Sequence, residues 1–241
     1  MANVSAKPFS HAIAAENKRG LVAVIPDIKC TSPKEGDLLC GRDPLAVSQQ
    51  FIDCGAPLLS VVTESKQFGG SPELLAAVAK ATGVPVLRKD FITTEAMVEE
   101  TAELGAAAVL LICSLLNKEK LFSLYKKAIE IGIEPFVETH TLTEMKLAQE
   151  LGATLVGINN RDITTLEKDE GTAATTATLA SFAPSDALLV SESGIFTTED
   201  AQVAAQAGAN AVLVGTALWQ TEDATSLYAS LQVGQKTRVS R

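Results

Sequence analysis

A series of apolar runs in this 241-residue chain ends in lysines and carboxylates. The run at 84–87 stops at Arg88-Lys89-Asp90, and the run at 21–29 contains Asp27 and closes on Lys29. Others lead into Thr63-Glu64, Glu138-Thr139-His140, Asn159-Asn160-Arg161-Asp162 and Glu192-Ser193-Gly194, while the run at 107–112 ends without charge in Cys113-Ser114. One Lys-Asp pair fits an ordinary surface loop. Charges beside buried runs are partly desolvated and must be paired to be tolerated, so their repetition points to a shared site. Two lysines and several carboxylates on one rim form an acid–base set. Burial and neighbouring carboxylates move a lysine's pKa in opposite directions, so either lysine can be the acid. Ser193-Gly194 and Gly215-Thr216 each precede a helical stretch. Main-chain N–H groups opened by glycine at such turns bind phosphate, and the pairing of the two turns favours that over plain glycine turns.

The elements that must position these residues follow a repeating unit. A helical stretch closes at a glycine (Gly55, Gly83, Gly105, Gly132, Gly152, Gly208) and an aliphatic run begins one to three residues later. Adding the run at 186–191, strands are expected to start near residues 21, 57, 84, 107, 133, 154, 186 and 210. Helix starts are marked by Asp43-Pro44, Ser71-Pro72-Glu73, Thr93 or Thr94, Thr141-x-x-Glu144 and Thr197-x-x-Asp200. Eight βα units in about 240 residues are the arithmetic of a (β/α)8 TIM barrel of phosphate-binding type, whose strand C-termini form the active face. A doubly wound sheet would want a glycine-rich first turn, and none follows Lys29. The expectation is one domain over residues 1–241. Residues 1–20 form a short N-terminal extension, with a helix at about 8–18.

Composition narrows the partners. Hydrophobic residues make up 46% and aromatics 5%, and the formal net charge is −9. That balance speaks against nucleic acid and anionic membranes, but a small anionic substrate needs only local cations. Four cysteines without CxxC spacing read as reduced thiols. With no apolar run of about 18 residues and no leader-like N-terminus, a soluble, cytoplasmic protein is expected.

Seven segments together resemble the indole-3-glycerol phosphate synthase family of tryptophan biosynthesis. They are Asp27-Ile28-Lys29-x-x-Ser32-Pro33, Ser60-Val61-Val62-Thr63-Glu64 with Phe68-Gly69-Gly70-Ser71, Arg88-Lys89-Asp90-Phe91-Ile92, Val137-Glu138-Thr139-His140, Gly157-Ile158-Asn159-Asn160-Arg161-Asp162, Ser191-Glu192-Ser193-Gly194-Ile195 and Val214-Gly215-Thr216-Ala217-Leu218. They occur in the family's order and fall on seven of the eight expected strand ends. The resemblance implies that an anilino-deoxyribulose phosphate bearing a ring carboxylate closes to an indole with loss of carbon dioxide and water. It implies Lys89 as the general acid on the ketone oxygen and Glu138 as the proton acceptor on rearomatisation. Lys29 pairs with substrate and carboxylates and is a candidate second acid, while Asn159 and Glu192 hold hydroxyls and orient the lysines. Arg161, helped by Ser32, takes the substrate carboxylate, and Phe68 and Phe91 flank the ring. Ser193 also contacts substrate, and Gly194, Gly215 and Thr216 take the phosphate. No metal or organic cofactor is implied, since the strained cyclised intermediate drives decarboxylation. Association with other tryptophan-pathway enzymes fits the same picture.

Three departures from the family stand out. Asp27, which the resemblance places in the catalytic set, replaces the usual Glu and is one methylene shorter, so its contact to Lys29 or Lys89 is lost or remade; Gln67 replaces an aromatic, and Trp219 a smaller apolar residue. The segment before the first strand is also about half the family's length, and in the family it helps cover the substrate. His140 reads as a loop or capping residue rather than a base. Cys30 lies where the related phosphoribosylanthranilate isomerases use a cysteine, but its neighbours fit the synthase. Two other readings suit the same residues: a phosphate-binding isomerase or aldolase working through Lys89, and a catalytically weak barrel acting as a binding subunit.

Overall fold

The computed structural model describes residues 7–161 and 171–238. Its barrel strands are β1 (Ala23–Ile28), β2 (Leu59–Val62), β3 (Val86–Lys89), β4 (Ala108–Ile112), β5 (Glu134–Thr139), β6 (Leu155–Asn159), β7 (Leu188–Glu192) and β8 (Ala211–Val214). All neighbours are parallel and the sheet closes in the order β1-β8-β7-β6-β5-β4-β3-β2, the (β/α)8 barrel expected from the repeat. Before it stands helix α1 (Pro8–Lys18). Around it run α2 (Pro44–Asp53), α3 (Pro72–Thr82), α4 (Glu95–Glu103), α5 (Lys118–Ile131), α6 (Leu142–Leu151), α7 (Ala174–Leu179), α8 (Thr198–Gln206), α9 (Thr216–Gln220) and α10 (Ala224–Leu231). Within the segment expected as a loop after β1, Thr31–Ser32 and Gly36–Asp37 pair as a short antiparallel ribbon.

Local chemistry sets these boundaries. The side chains of Asp43, Ser71, Thr94, Thr141 and Thr197 each accept a main-chain N–H of the first turn of the helix that follows. Each such cap contributes about 1 kcal/mol. Gly83, Gly132 and Gly152 end α3, α5 and α6 in the left-handed region, at φ of 67°, 83° and 65°, and turn the chain back into the sheet.

Strand parity then separates core from site. Ala23, Ile25, Leu87, Ala108, Leu110, Phe136, Leu155, Val190, Ala211 and Leu213 belong to one buried cluster inside the barrel. Side chains alternate along a strand, so Asp27, Lys89, Glu138, Asn159 and Glu192 fall on the same face, one pleat nearer the C-terminal end. Residues of the other parity pack under the helices, Val61 and Val212 in one cluster and Val137 and Ile158 in another.

Helix α1 closes the opposite end. Phe9 and Ile13 are fully buried in the interior cluster. Glu134, the first residue of β5, accepts the main-chain N–H of Phe9 at 2.7 Å and of Ser10 at 3.2 Å, and the Ser10 hydroxyl as well. Asn17 donates to the main-chain oxygens of Leu21 and Asn210, just before β1 and β8. Every one of these partners lies at a strand start. Residues 7–18 therefore seal the barrel floor and do not reach the face where the family's leading segment was expected to cover substrate.

Candidate active site

The strand C-termini surround an open cavity of about 610 Å³ lined by Asp27, Lys29, Phe68, Lys89, Phe91, Glu138, Asn159, Arg161 and Ser193, among others. A second, of about 400 Å³, continues from it and shares Asp27, Lys29, Lys89, Arg161 and Ser193, adding Gly194, Gly215 and Thr216. Of the residues singled out in the sequence, Glu192 lies behind the wall against Lys89, and Ser32 borders neither cavity. Ser32 is buried within the ribbon after β1, where its hydroxyl accepts the Lys34 N–H at 3.4 Å. Asp162 falls outside the described residues.

At the centre, Lys89 Nζ lies 3.6 Å from Glu192 Oε2 and 3.9 Å from Glu138 Oε2. Both carboxylates are fully buried, and none of their oxygens has a hydrogen-bond partner among the described residues. Burial, reinforced by the neighbouring charge of Glu138 and only partly offset by Lys89, pushes Glu192 well above the usual carboxylate range. The pair fits because β6 carries Gly157 beside Glu138. A Cβ there would overlap Glu192 Oε1 and come within 2.7 Å of Phe136 Cζ. Gly157 is thus a site residue that reading for charged groups misses; its signal was a glycine inside an aliphatic strand.

Adjacent residues of β3 divide the work. Lys89 faces the cavity, whereas Arg88 points into the helix layer with 2% exposure. Its guanidinium donates to Thr63 Oγ1 at 3.1 Å, Glu100 Oε2 at 2.7 Å and Asp90 Oδ2 at 3.3 Å. Arg88 anchors the strand that presents Lys89. Asp90 is thus part of an Arg-Asp buttress behind the strand.

The two aromatics expected at the site both line the larger cavity. Phe68 is held by Glu64, whose Oε2 accepts the N–H groups of Gln67 at 2.7 Å and Phe68 at 3.1 Å. Lys29 Nζ lies 5.8 Å from the Phe68 ring centre and donates to Thr216 Oγ1 at 3.2 Å, which directs it toward the second cavity. Asp27 Oδ1 is buried with no hydrogen-bond partner among the described residues. The other oxygen, Oδ2, faces Gly215, where a Cβ would approach it to 3.3 Å. Trp219 ties these two strand ends together, since its indole N–H donates to the main-chain oxygen of Asp27 at 2.8 Å.

The exit from β7 is organised by Asn160. Its amide donates to Ser191 Oγ and to the main-chain oxygens of Glu192 and Ser193, and its oxygen accepts from Thr176. Ser193 and Gly194 are thereby held at φ of 63° and 64°. A left-handed serine costs about 1–2 kcal/mol, offset here by that network. The Asn159 oxygen accepts the Arg161 N–H at 3.0 Å, and the Arg161 guanidinium stacks 5.6 Å from the Phe196 ring centre.

Among the described residues no group of three or more His, Cys, Asp or Glu side chains is arranged to hold a metal ion, and no helix is long and apolar enough to cross a membrane. The arrangement can donate a proton from Lys89, accept one at Glu138 and seat an anion between the ends of β7 and β8.

Comparison with known proteins agrees with this geometry. The family model for indole-3-glycerol phosphate synthase matches residues 1–231. The indole-3-glycerol phosphate synthase of Pyrococcus abyssi is 48% identical over 207 residues, covering 86% of this chain and 90% of that one. That of Pyrococcus furiosus is 46% identical over 219 residues, covering 91% and 94%. The Thermococcus kodakarensis protein of the same name is 46% identical over 201 residues, covering 83% and 88%.

Proposed function

The chain belongs to the indole-3-glycerol phosphate synthase family, and we propose that its barrel mouth closes 1-(2-carboxyphenylamino)-1-deoxyribulose 5-phosphate to indole-3-glycerol phosphate with Lys89 and Glu138 as acid and base. The activity is that of a carboxy-lyase acting on a small phosphorylated molecule. In the first step the ring carbon bearing the carboxylate bonds to the ketone carbon, while Lys89 gives its proton to the ketone oxygen. Loss of carbon dioxide returns the bonding electrons to the ring. The new hydroxyl then leaves as water, with Lys29 as the candidate second acid, and the methylene carbon beside the ring nitrogen gives its proton to Glu138.

The observation that carries the reading is Lys89 between two fully buried carboxylates at the rim of a cavity walled by Phe68 and Phe91. A buried acid–base pair of this kind typically contributes about 10²–10⁴-fold. Asn159, its oxygen taken by Arg161, keeps its NH2 for a substrate hydroxyl, and Glu192 orients Lys89. Arg161 suits the substrate carboxylate with its planar fork, and Ser193 contacts substrate beside it. Gly194, Gly215 and Thr216 with Lys29 suit the phosphate. Asp27, one methylene shorter than the family's Glu, lines both cavities with Lys29 and Lys89 and completes the acid–base set at that end. Ser32, on the ribbon beside the Phe68 loop, is kept as the helper of Arg161 at the carboxylate. The reading carries with it one domain over residues 1–241, a cytoplasmic location and association with enzymes of the same pathway.

The test is appearance of indole fluorescence when purified protein meets this substrate. Turnover supports the reading. Binding without product would favour the weak-barrel alternative, and a borohydride-reducible imine on Lys89 would favour an aldolase.

A further inference from the structure

The proposed chemistry leaves His140 unused, although it sits two residues beyond the base. Its Nε2 lies 3.3 Å from Glu138 Oε1 and its Nδ1 3.3 Å from Glu144 Oε2. The ring is not placed there by chance packing. Its main-chain N–H donates to the same Glu144 oxygen at 2.7 Å, so Glu144 grips both backbone and ring. In an ordinary capping box the third-position carboxylate returns to the N–H of the cap residue. Helix α8 does this, with Asp200 accepting the Thr197 N–H at 3.0 Å. In α6 the cap Thr141 takes the Glu144 N–H as usual, and the Glu144 carboxylate accepts the N–H of the residue before the cap, as Asp200 does from Phe196, but here it also meets that residue's imidazole ring. The addition in α6 is the ring itself, set between the Glu144 carboxylate and the buried base.

The charges facing the ring come from every element packed around it. Glu138 lies on its own strand, Glu144 on α6, and Lys89 on β3 beyond Glu138. The Cys113 thiol at the end of β4 is pushed up to about 12, by burial first and then by Glu144 and Glu138, so it adds no charge. Glu192 on β7 stands behind Lys89. Burial works against a charged His140, but the Glu144 hydrogen bond and the charges of Glu138 and Glu144 outweigh it and raise His140 above its ordinary value. The two buried carboxylates are therefore not equivalent. Glu138 has Lys89 at 3.9 Å and the His140 ring at 3.3 Å, whereas among the described residues Glu192 is ion-paired with Lys89 only.

We propose that His140 is a positioning residue for the base: gripped by Glu144, its imidazolium makes Glu138, rather than Glu192, the carboxylate that accepts the proton. This rests on the assignment of Glu138 as the base. Cationic His140 stabilises the carboxylate form of its neighbour, as an opposite charge within about 4–6 Å does.

The chain has only two histidines, His11 and His140, so imidazole nuclear magnetic resonance reads the contact directly, with His140→Gln assigning the signals. In the parent protein His140 titrates above the ordinary histidine range. Its midpoint falls by about one pH unit in Glu144→Gln and again in Glu138→Gln. In turnover, His140→Gln moves the acid limb of kcat upward by about one pH unit, because a cation that favoured the carboxylate is gone, while KM stays within a few-fold. Glu144→Gln, which keeps the helix cap at Thr141, moves the limb the same way. A His140 midpoint unmoved by Glu138→Gln, with an unmoved acid limb in His140→Gln, would reduce His140 to a cap and overturn the proposal. If the midpoint moves but Glu138→Gln turns over like the parent, the contact stands, the base assignment fails, and the proposal fails with it.

Discussion

Gly157 and Glu192 fit together so closely that any side chain on the glycine would overlap Glu192 Oε1. Phe136 stands on the same side, with its Cζ 2.7 Å from where that Cβ would be. Gly157→Ala must therefore displace a buried carboxylate or a fully buried ring. The variant is expected to lose about 1–3 kcal/mol of stability through overpacking. Its kcat should fall at least about tenfold, since Lys89 loses its alignment. Denaturant melts and steady-state kinetics check both.

Glu192 gives a pH dependence with a definite sign. Its raised value means that the folded protein holds this proton at pH values where the unfolded chain has released it. The folded state then binds more protons, so this group's contribution is full below the ordinary glutamate range and is lost as pH rises toward the raised value. Glu192→Gln removes that dependence. The Tm difference between variant and parent should grow in the variant's favour across that window, while turnover drops. Melting curves against pH measure it.

The Trp219 indole N–H to the Asp27 oxygen joins the ends of β1 and β8 beside the phosphate cavity. Trp219→Phe keeps the ring and loses the donor, at about 1 kcal/mol. KM for the phosphorylated substrate should rise more than kcat falls. As the chain's sole tryptophan, Trp219 should also change its emission when inorganic phosphate is titrated into the parent protein.

At the other end of the barrel, Phe9 is buried in the interior cluster far from Lys89. Phe9→Ala should cost about 3–5 kcal/mol. At the permissive temperature its kcat should stay within a few-fold of the parent, because the two barrel ends separate stability from chemistry. Parallel thermal melts and assays test that separation.

The eight strands were readable because an aliphatic run, preceded in six cases by a glycine that closes the helical stretch before it, is a local signal, and all eight expected strands occur. Parity on those strands also distinguishes Lys89 from Arg88, although residue type alone made both look like rim cations. What depends on distant chain segments was not legible. Nothing local says that α1 docks on Glu134 at the barrel floor, 124 residues away. Ser32 looked like a ligand by its place in the motif, but the ribbon that holds it forms only by pairing with Gly36–Asp37 and was expected as plain loop. His140 could be read as a capping-region residue, which it is, but its reach to Glu138 requires α6 and β5 to be placed together.

The central claim is that Lys89 is the general acid, and single-turnover formation of the indole by the parent and Lys89→Ala tests it most directly. The account predicts product from the parent, a rate about 10²–10⁴-fold lower in the variant, and substrate binding changed by no more than a few-fold. A variant that forms the indole within a few-fold of the parent rate would contradict it.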